Sequence, residues 1–167
     1  MYLDITSKLH YYFIGDKMIK VMFVCLGNIC RSPMAEYVFK NMIKEAGLEN
    51  KFKVSSAATS YEEEGNPIYP PAELTLIGNG IPLGNHRAHR LTIDEIREYD
   101  YIIGMESRNV NNILRISGGK YEEKICKLLD FCGGGDIADP WYSGDFDTTY
   151  NDVVRGCEAL LQAIMNK

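Results

Sequence analysis

Val21-Met22-Phe23-Val24-Cys25-Leu26-Gly27-Asn28-Ile29-Cys30-Arg31-Ser32-Pro33 is the stretch on which the reading of this chain turns. Residues 21–25 are a short apolar run rich in β-branched and aromatic side chains, the pattern of a buried strand. Gly27 and Asn28 tolerate the left-handed backbone that a tight loop needs. Ser32 suits an N-cap and Pro33 the first helical position, so a helix is expected to open there. A strand, a tight loop and a helix N-terminus in succession form a ready anion site. Loop amides point inward, and the helix dipole favours negative charge.

Two side chains make that site a candidate catalyst. Cys25 ends the strand, and Arg31 follows in a Cys-x5-Arg spacing. A cysteine at a helix N-terminus beside an arginine is expected to have a depressed pKa, in a range of roughly 3.5–7.5. Its thiolate would then be the working nucleophile. The arginine fork matches phosphate oxygens two at a time. Leu26, Gly27, Asn28, Ile29 and Cys30 lie between the two and would cradle the anion.

Outward from the loop, strands and helices alternate. Residues 32–46 read as a helix with Met34, Val38, Met42 and Ile43 inward and Gly47 as a stop. Residues 52–57 read as a second strand, which makes a βαβ unit and a parallel pair. Residues 71–79 read as a short helix. Thr92 and Glu95 form a capping box ahead of another, with Leu91 and Ile96 as its staple. Residues 101–105 and 125–129 read as strands, with a helix between them stopped by Gly118-Gly119. Gly133-Gly134-Gly135 is a flexible connection, and residues 149–165 close the chain as a helix. The pattern predicts an α/β fold: a doubly wound, four-stranded parallel sheet flanked by helices in a single domain. In such sheets ligands bind at the carboxyl ends of the strands, where Cys25 lies.

The chain has 167 residues, 46% hydrophobic and 25% charged, with a formal net charge of −5. Its size suits one domain with a substantial core. An acidic chain without a Lys/Arg cluster argues against nucleic-acid binding, and no apolar stretch is long enough to span a bilayer. The cysteines at 25, 30, 126, 132 and 157 are odd in number and show no framework spacing. They suit a reducing compartment, so a cytoplasmic location is expected. No Cys-x2-Cys pair occurs, and His10, His86 and His89 form no metal-ligating pattern, so neither metal nor other cofactor is expected. Residues 1–17 show no cleavage site and do not read as a signal peptide. Tyr2, Ile5, Leu9 and Phe13 recur at helical spacing there. The segment is read as an N-terminal extension or leader to a domain spanning 18–167.

The sequence Cys25-Leu26-Gly27-Asn28-Ile29-Cys30-Arg31-Ser32-Pro33, together with Asp139-Pro140-Trp141-Tyr142, resembles the low-molecular-weight protein tyrosine phosphatase family. The similarity runs from about Met18 to the carboxyl end. It implies a metal-independent hydrolysis of phosphotyrosine monoesters through a phosphocysteine on Cys25, with phosphotyrosine-containing proteins as partners and a monomer or weak dimer as the working state. Spacing alone does not choose a proton donor among Asp130, Asp136, Asp139, Asp145 and Asp147. The match to the Asp-Pro-aromatic-Tyr motif selects Asp139. The resemblance also gives Ser32 a place beside the thiolate and has Asn28 hold the loop open through Ser56 and His86. It makes Cys30 a reversible disulfide partner of Cys25, where the residues alone allow simple packing. Trp141 and Tyr142 would flank the substrate ring. Tyr61 and Glu62 fall where relatives carry an aromatic wall. The Glu62-Glu63-Glu64 run reads either as a solvated face or as a rim that disfavours acidic substrates. Glu106 stands where relatives often have Asp, in a supporting role.

Other chemistries fit less well. An arsenate reductase needs a relay pair of cysteines, and Cys126 and Cys132 fall late in the chain for it. A protein-arginine phosphatase resembles this loop but carries Thr where Ile29 stands, and isoleucine packs better on a phenyl ring. A phosphate-binding module would not require Cys25, Arg31 and Asp139 together. A phosphocarrier would need Cys25 alone among them.

Overall fold

The structure, a computed structural model, describes residues 17–167. The helical spacing noted between Tyr2 and Phe13 lies outside the described residues. Four parallel strands, β1 (Ile19–Cys25), β2 (Phe52–Ala58), β3 (Tyr101–Gly104) and β4 (Ile125–Lys127), form one sheet in the order β2-β1-β3-β4. The helices are α1 (Arg31–Glu45), α2 (Pro70–Gly78), α3 (Ile93–Glu98), α4 (Ser107–Ile116), α5 (Pro140–Ser143) and α6 (Phe146–Met165).

Period-two alternation along β1 builds both halves of the core. Val21, Phe23 and Cys25 face a cluster supplied by α1, α2 and α6, including Phe39, Leu76 and Leu160. Met22 and Val24 face the opposite cluster, including Leu91, Ile96 and Ile113 from the segments of α3 and α4. Residues 21–24 are therefore wholly buried, as expected of an inner strand covered on both faces. From β1 the chain moves outward to β2, then returns across β1 to β3. That reversal is the topological switch point, and the crevice beyond it opens at the carboxyl ends of β1 and β3.

Most boundaries fall within a residue or two of the sequence expectation, and three of the shifts are instructive. Helix α1 begins at Arg31 with Cys30 as its N-cap, and no side chain caps it. Ser32 sits inside the first turn because its hydroxyl faces the loop. β4 stops at Lys127, since the Asp130 carboxylate accepts from the Lys127 amide at 2.9 Å and draws the chain into a 3₁₀ turn, Leu128–Cys132. Helix α6 begins at Phe146 rather than 149, because Asp145 caps it by accepting from the Thr148 amide at 2.9 Å.

Candidate active site

The loop between β1 and α1 wraps around the Cys25 sulfur. The Asn28 amide donates to Cys25 Sγ at 3.2 Å, and Ser32 Oγ lies 3.0 Å from it. Asn28 alone takes the left-handed backbone, with φ of 61°. Gly27 does not. A Cβ at 27 would lie 3.2 Å from the Glu63 Cγ, a tight contact to which the Glu63 side chain would have to yield by a few tenths of an ångström.

Behind the loop a buried polar network fixes this geometry. Asn28 Nδ2 donates to Ser32 Oγ at 2.8 Å and to Ser56 Oγ at 2.9 Å. Asn28 Oδ1 accepts from the His89 amide at 3.2 Å, and the His86 ring Nε2 lies 2.7 Å from the Asn28 carbonyl. The Ser56 hydroxyl donates to Glu36, which also accepts from Lys40 at 2.6 Å. Ser32 Oγ accepts from Asn28, so its own proton is free for Cys25 Sγ at 3.0 Å or the more distant Ala57 carbonyl at 3.4 Å. A satisfied network of this kind holds a single arrangement.

Arg31 is almost wholly buried and held from three sides. Nη1 donates to the Ile137 carbonyl at 3.1 Å and pairs with Glu106 at 3.0 Å, and Nη2 pairs with Asp139 at 3.2 Å. Burial opposes its charge, but Cys25, Asp139 and Glu106 outweigh that and push the guanidinium pKa up. The Cys30 thiol is pushed up to about 12, by burial first and then by Cys25 and Asp139. Asp139 caps α5, accepting from the Trp141 amide at 3.1 Å, with Pro140 following it at N1.

These residues enclose a recess of about 160 Å³ lined by Cys25, Leu26, Gly27, Ile29, Cys30, Arg31, Glu62, Glu63, Asp139, Trp141 and Tyr142. Its base holds a sulfur and a guanidinium, and its rim is acidic and aromatic. Asn28, Ser32, Ser56 and His86 stand behind the loop rather than in the recess. Tyr61 is 68% exposed. Its ring lies under the Arg90 guanidinium, 4.7 Å from centroid to Cζ, and does not line the recess. Trp141 is braced by the Tyr69 ring, with centroids 4.9 Å apart. Among the described residues no three His, Cys, Asp or Glu side chains gather as a metal-holding group.

Three contributors carried no signal in the sequence. The Ile137 carbonyl meets Arg31 from far along the chain, and a backbone acceptor has no residue signature. Glu36 reads as an ordinary helical residue, and Tyr69 as a loop aromatic.

The family model described as low molecular weight phosphotyrosine protein phosphatase matches residues 20–167. A low molecular weight phosphotyrosine protein phosphatase of Gallus gallus is 40% identical over 151 residues, 85% of this chain and 93% of that protein. The low molecular weight protein-tyrosine-phosphatase YfkJ of Bacillus subtilis is 37% identical over 153 residues, 90% of this chain and 98% of that protein. The crystal structure of YfkJ superposes with a TM-score of 0.87, covering 90% of this chain and 96% of that one.

Proposed function

The chain belongs to the low molecular weight phosphotyrosine protein phosphatase family, and from that premise we propose that it hydrolyses phosphotyrosine monoesters through a phosphocysteine formed on Cys25. The observation that carries this reading is the convergence of Cys25, Arg31 and Asp139 on one small recess. The Asn28 amide, the Ser32 hydroxyl and Arg31 favour negative charge on sulfur.

In the first step the Cys25 thiolate attacks phosphorus and the bond to the phenolic oxygen breaks. Arg31 and the loop hold the equatorial oxygens, and Asp139 gives its proton to the leaving phenolate. A phosphate dianion arrives beside the Asp139 carboxyl, within reach of the leaving oxygen. The dianion also competes with Asp139 for Arg31 Nη2. In the second step Asp139 takes a proton from water, the water oxygen attacks phosphorus, the phosphorus–sulfur bond breaks, and phosphate leaves with the thiolate restored. Glu106 and the Ile137 carbonyl hold Arg31 in place throughout. Ile29 packs on the substrate ring, which Trp141 and Tyr142 flank. The recess residues need no metal or cofactor in this scheme.

We place the phosphatase domain at residues 18–167, with 1–17 as an extension outside it. The chain acts on phosphotyrosine-containing proteins, as a monomer or weak dimer, in a cytoplasm reducing enough to keep Cys25 from oxidation. No described helix is long and apolar enough to cross a membrane. Hydrolysis of para-nitrophenyl phosphate and of a phosphotyrosine peptide, without added metal, tests the reading. Cys25→Ser is expected to abolish turnover, and Asp139→Ala to slow it by roughly 10²–10⁴-fold. No turnover by freshly reduced wild type overturns the assignment.

A further inference from the structure

Leu26 lines a second recess as well as the first. This one is about 290 Å³ in volume, and its other walls are Thr59, Ser60, Arg90, Asn112, Arg115 and Ile116. Arg90 comes from the segment before α3 and Arg115 from the last turn of α4. They are its only charged walls. The recess thus carries positive charge on a chain of net charge −5, next to a rim formed by Glu62, Glu63 and Asp139.

Neither guanidinium is ion-paired with a carboxylate among the described residues. Arg90 donates to the Thr59 carbonyl at 3.3 Å and to the Tyr61 hydroxyl at 3.4 Å. Only its backbone amide meets an acid, Glu64, at 2.9 Å. Arg115 donates to Asn112 Oδ1 at 3.1 Å. Each guanidinium has five N–H donors, so most of the fork on each side is unspent. Thr59 adds an independent sign. Its hydroxyl is buried without a hydrogen-bond partner, although Thr59 lines the recess. A buried polar group left orphaned points to an absent ligand or water. The complement of the α4 dipole accounts for Arg115 at a helix C-terminus, but not for Arg90, which arrives from elsewhere in the chain.

We propose that this second recess, which shares the Leu26 wall with the first, is a subsite for an acidic side chain of the substrate flanking the phosphotyrosine. The inference rests on the phosphatase reading and deepens it. The carboxylate would pair with Arg90 and Arg115 as a charge-assisted acceptor. The acidic rim taken alone disfavours acidic flanks, so the rim and the subsite predict opposite signs for the same substrate.

The test compares three phosphotyrosine peptides: one with alanine at the second and third flanking positions, one with glutamate on the amino side, and one with glutamate on the carboxyl side. In wild type one glutamate peptide is expected to exceed the alanine peptide in kcat/KM by about fivefold, chiefly through KM, the scale of one partly solvated charge-assisted pair. Added salt shrinks that ratio. Arg115→Gln and Arg90→Gln bring it to about one, whereas Arg108→Gln, an equal change of charge on the exposed face of α4, retains it. Arg115 is exposed and bonded only to Asn112, so its variant tests the subsite without burdening the fold. A wild-type ratio at or below one for both glutamate peptides overturns the proposal. So does a ratio that survives both substitutions. Absence of turnover on para-nitrophenyl phosphate would instead overturn the phosphatase reading and this inference with it.

Discussion

Gly156→Ala should destabilise this protein even though it improves helix propensity. Gly156 lies inside α6, where alanine would ordinarily gain about 1 kcal/mol over glycine. A Cβ at 156 would lie 2.5 Å from Leu128 Cγ, 3.0 Å from Cδ2 and 3.2 Å from Cδ1. Carbon atoms pack best at about 3.5–4.0 Å, so the overlap with the branch atom approaches 1 Å. Leu128 is wholly buried at the head of the 3₁₀ turn. An overlap this deep belongs in the upper part of the roughly 1–3 kcal/mol range for overpacking, about 2–3 kcal/mol, which outweighs the propensity gain and leaves a net loss of about 1–2 kcal/mol. For a chain of this size that lowers Tm by about 2–8 °C. Gly78→Ala supplies the opposite sign. Gly78 closes α2, its Cβ would meet nothing within 4 Å, and its φ is not positive. That substitution should stabilise by about 0.5–1 kcal/mol. Leu128→Ala alone should cost about 2–5 kcal/mol. Combined with Gly156→Ala it should cost less than the sum, because the new methyl fills part of the cavity, giving a coupling above about 0.5 kcal/mol. Urea melts with an unchanged slope would measure all four species. If Gly156→Ala stabilises as Gly78→Ala does, or the double mutant is additive, the contact argument fails.

The remaining predictions concern the site and its supports. Asn28→Ala should cost about 3 kcal/mol, since it orphans the part-buried His89 amide and forces alanine into positive φ; Asn28→Gly, free of the second penalty, should lie above it in denaturant midpoint, and a reversed order would refute the backbone argument. Cys30, with its thiol pushed up to about 12, should resist iodoacetamide at about pH 8 in the native state, as mass mapping of the alkylated peptides would show. The His89 pKa is raised, chiefly by its hydrogen bond to Glu95 at 2.8 Å, whereas Glu95 is lowered because that bond and the Thr92 contacts outweigh its burial. The His89 contribution is complete below its ordinary value of 6.5 and disappears as pH rises through the raised value. The Glu95 contribution is complete above 4.5 and disappears as pH falls through the lowered value. His89→Gln should therefore lower stability most near pH 5.5, by about 0.5 kcal/mol for so exposed a pair, and least above about pH 8.5; equal losses at both pH values would refute the pairing.

The sheet was legible because its signals are local and mutually consistent. The β1 run is apolar on both faces, and the Thr92–Glu95 capping box forms as its spacing demands. The chain order of strands and helices leaves few parallel topologies open. Boundaries escaped where one side chain decided them: Asp130 ends β4, and Asp145 starts α6 early. At the candidate site, residues within the nine-residue loop could be read together because they are adjacent in sequence. The partners of Arg31 could be read only in part. Glu106 and Asp139 are acidic residues at suggestive places, but the Ile137 carbonyl has no side-chain signature. Tyr61 lies beside Glu62 in sequence yet turns to Arg90, a pairing across a long loop that no periodicity reveals. Arg90 and Arg115 likewise meet only in three dimensions.

The hold on Arg31 ties the finished recess to the slowest part of assembly. Arg31 meets the Ile137 carbonyl and Asp139 across separations of 106 and 108 residues. β1 meets β3 through pairs such as Val21 and Tyr101, again with about half of the chain between them. Closing loops of that length comes late, since their entropy is lost before their contacts reward it. The nine-residue loop can therefore be in place while its arginine still lacks two of its three anchors. Regained turnover on refolding would thus report the final long-range closure, after helical signal has returned. A chain ending before Ile137 would keep the Cys25 loop in its sequence and lose two of the three acceptors that hold its cation, retaining only Glu106.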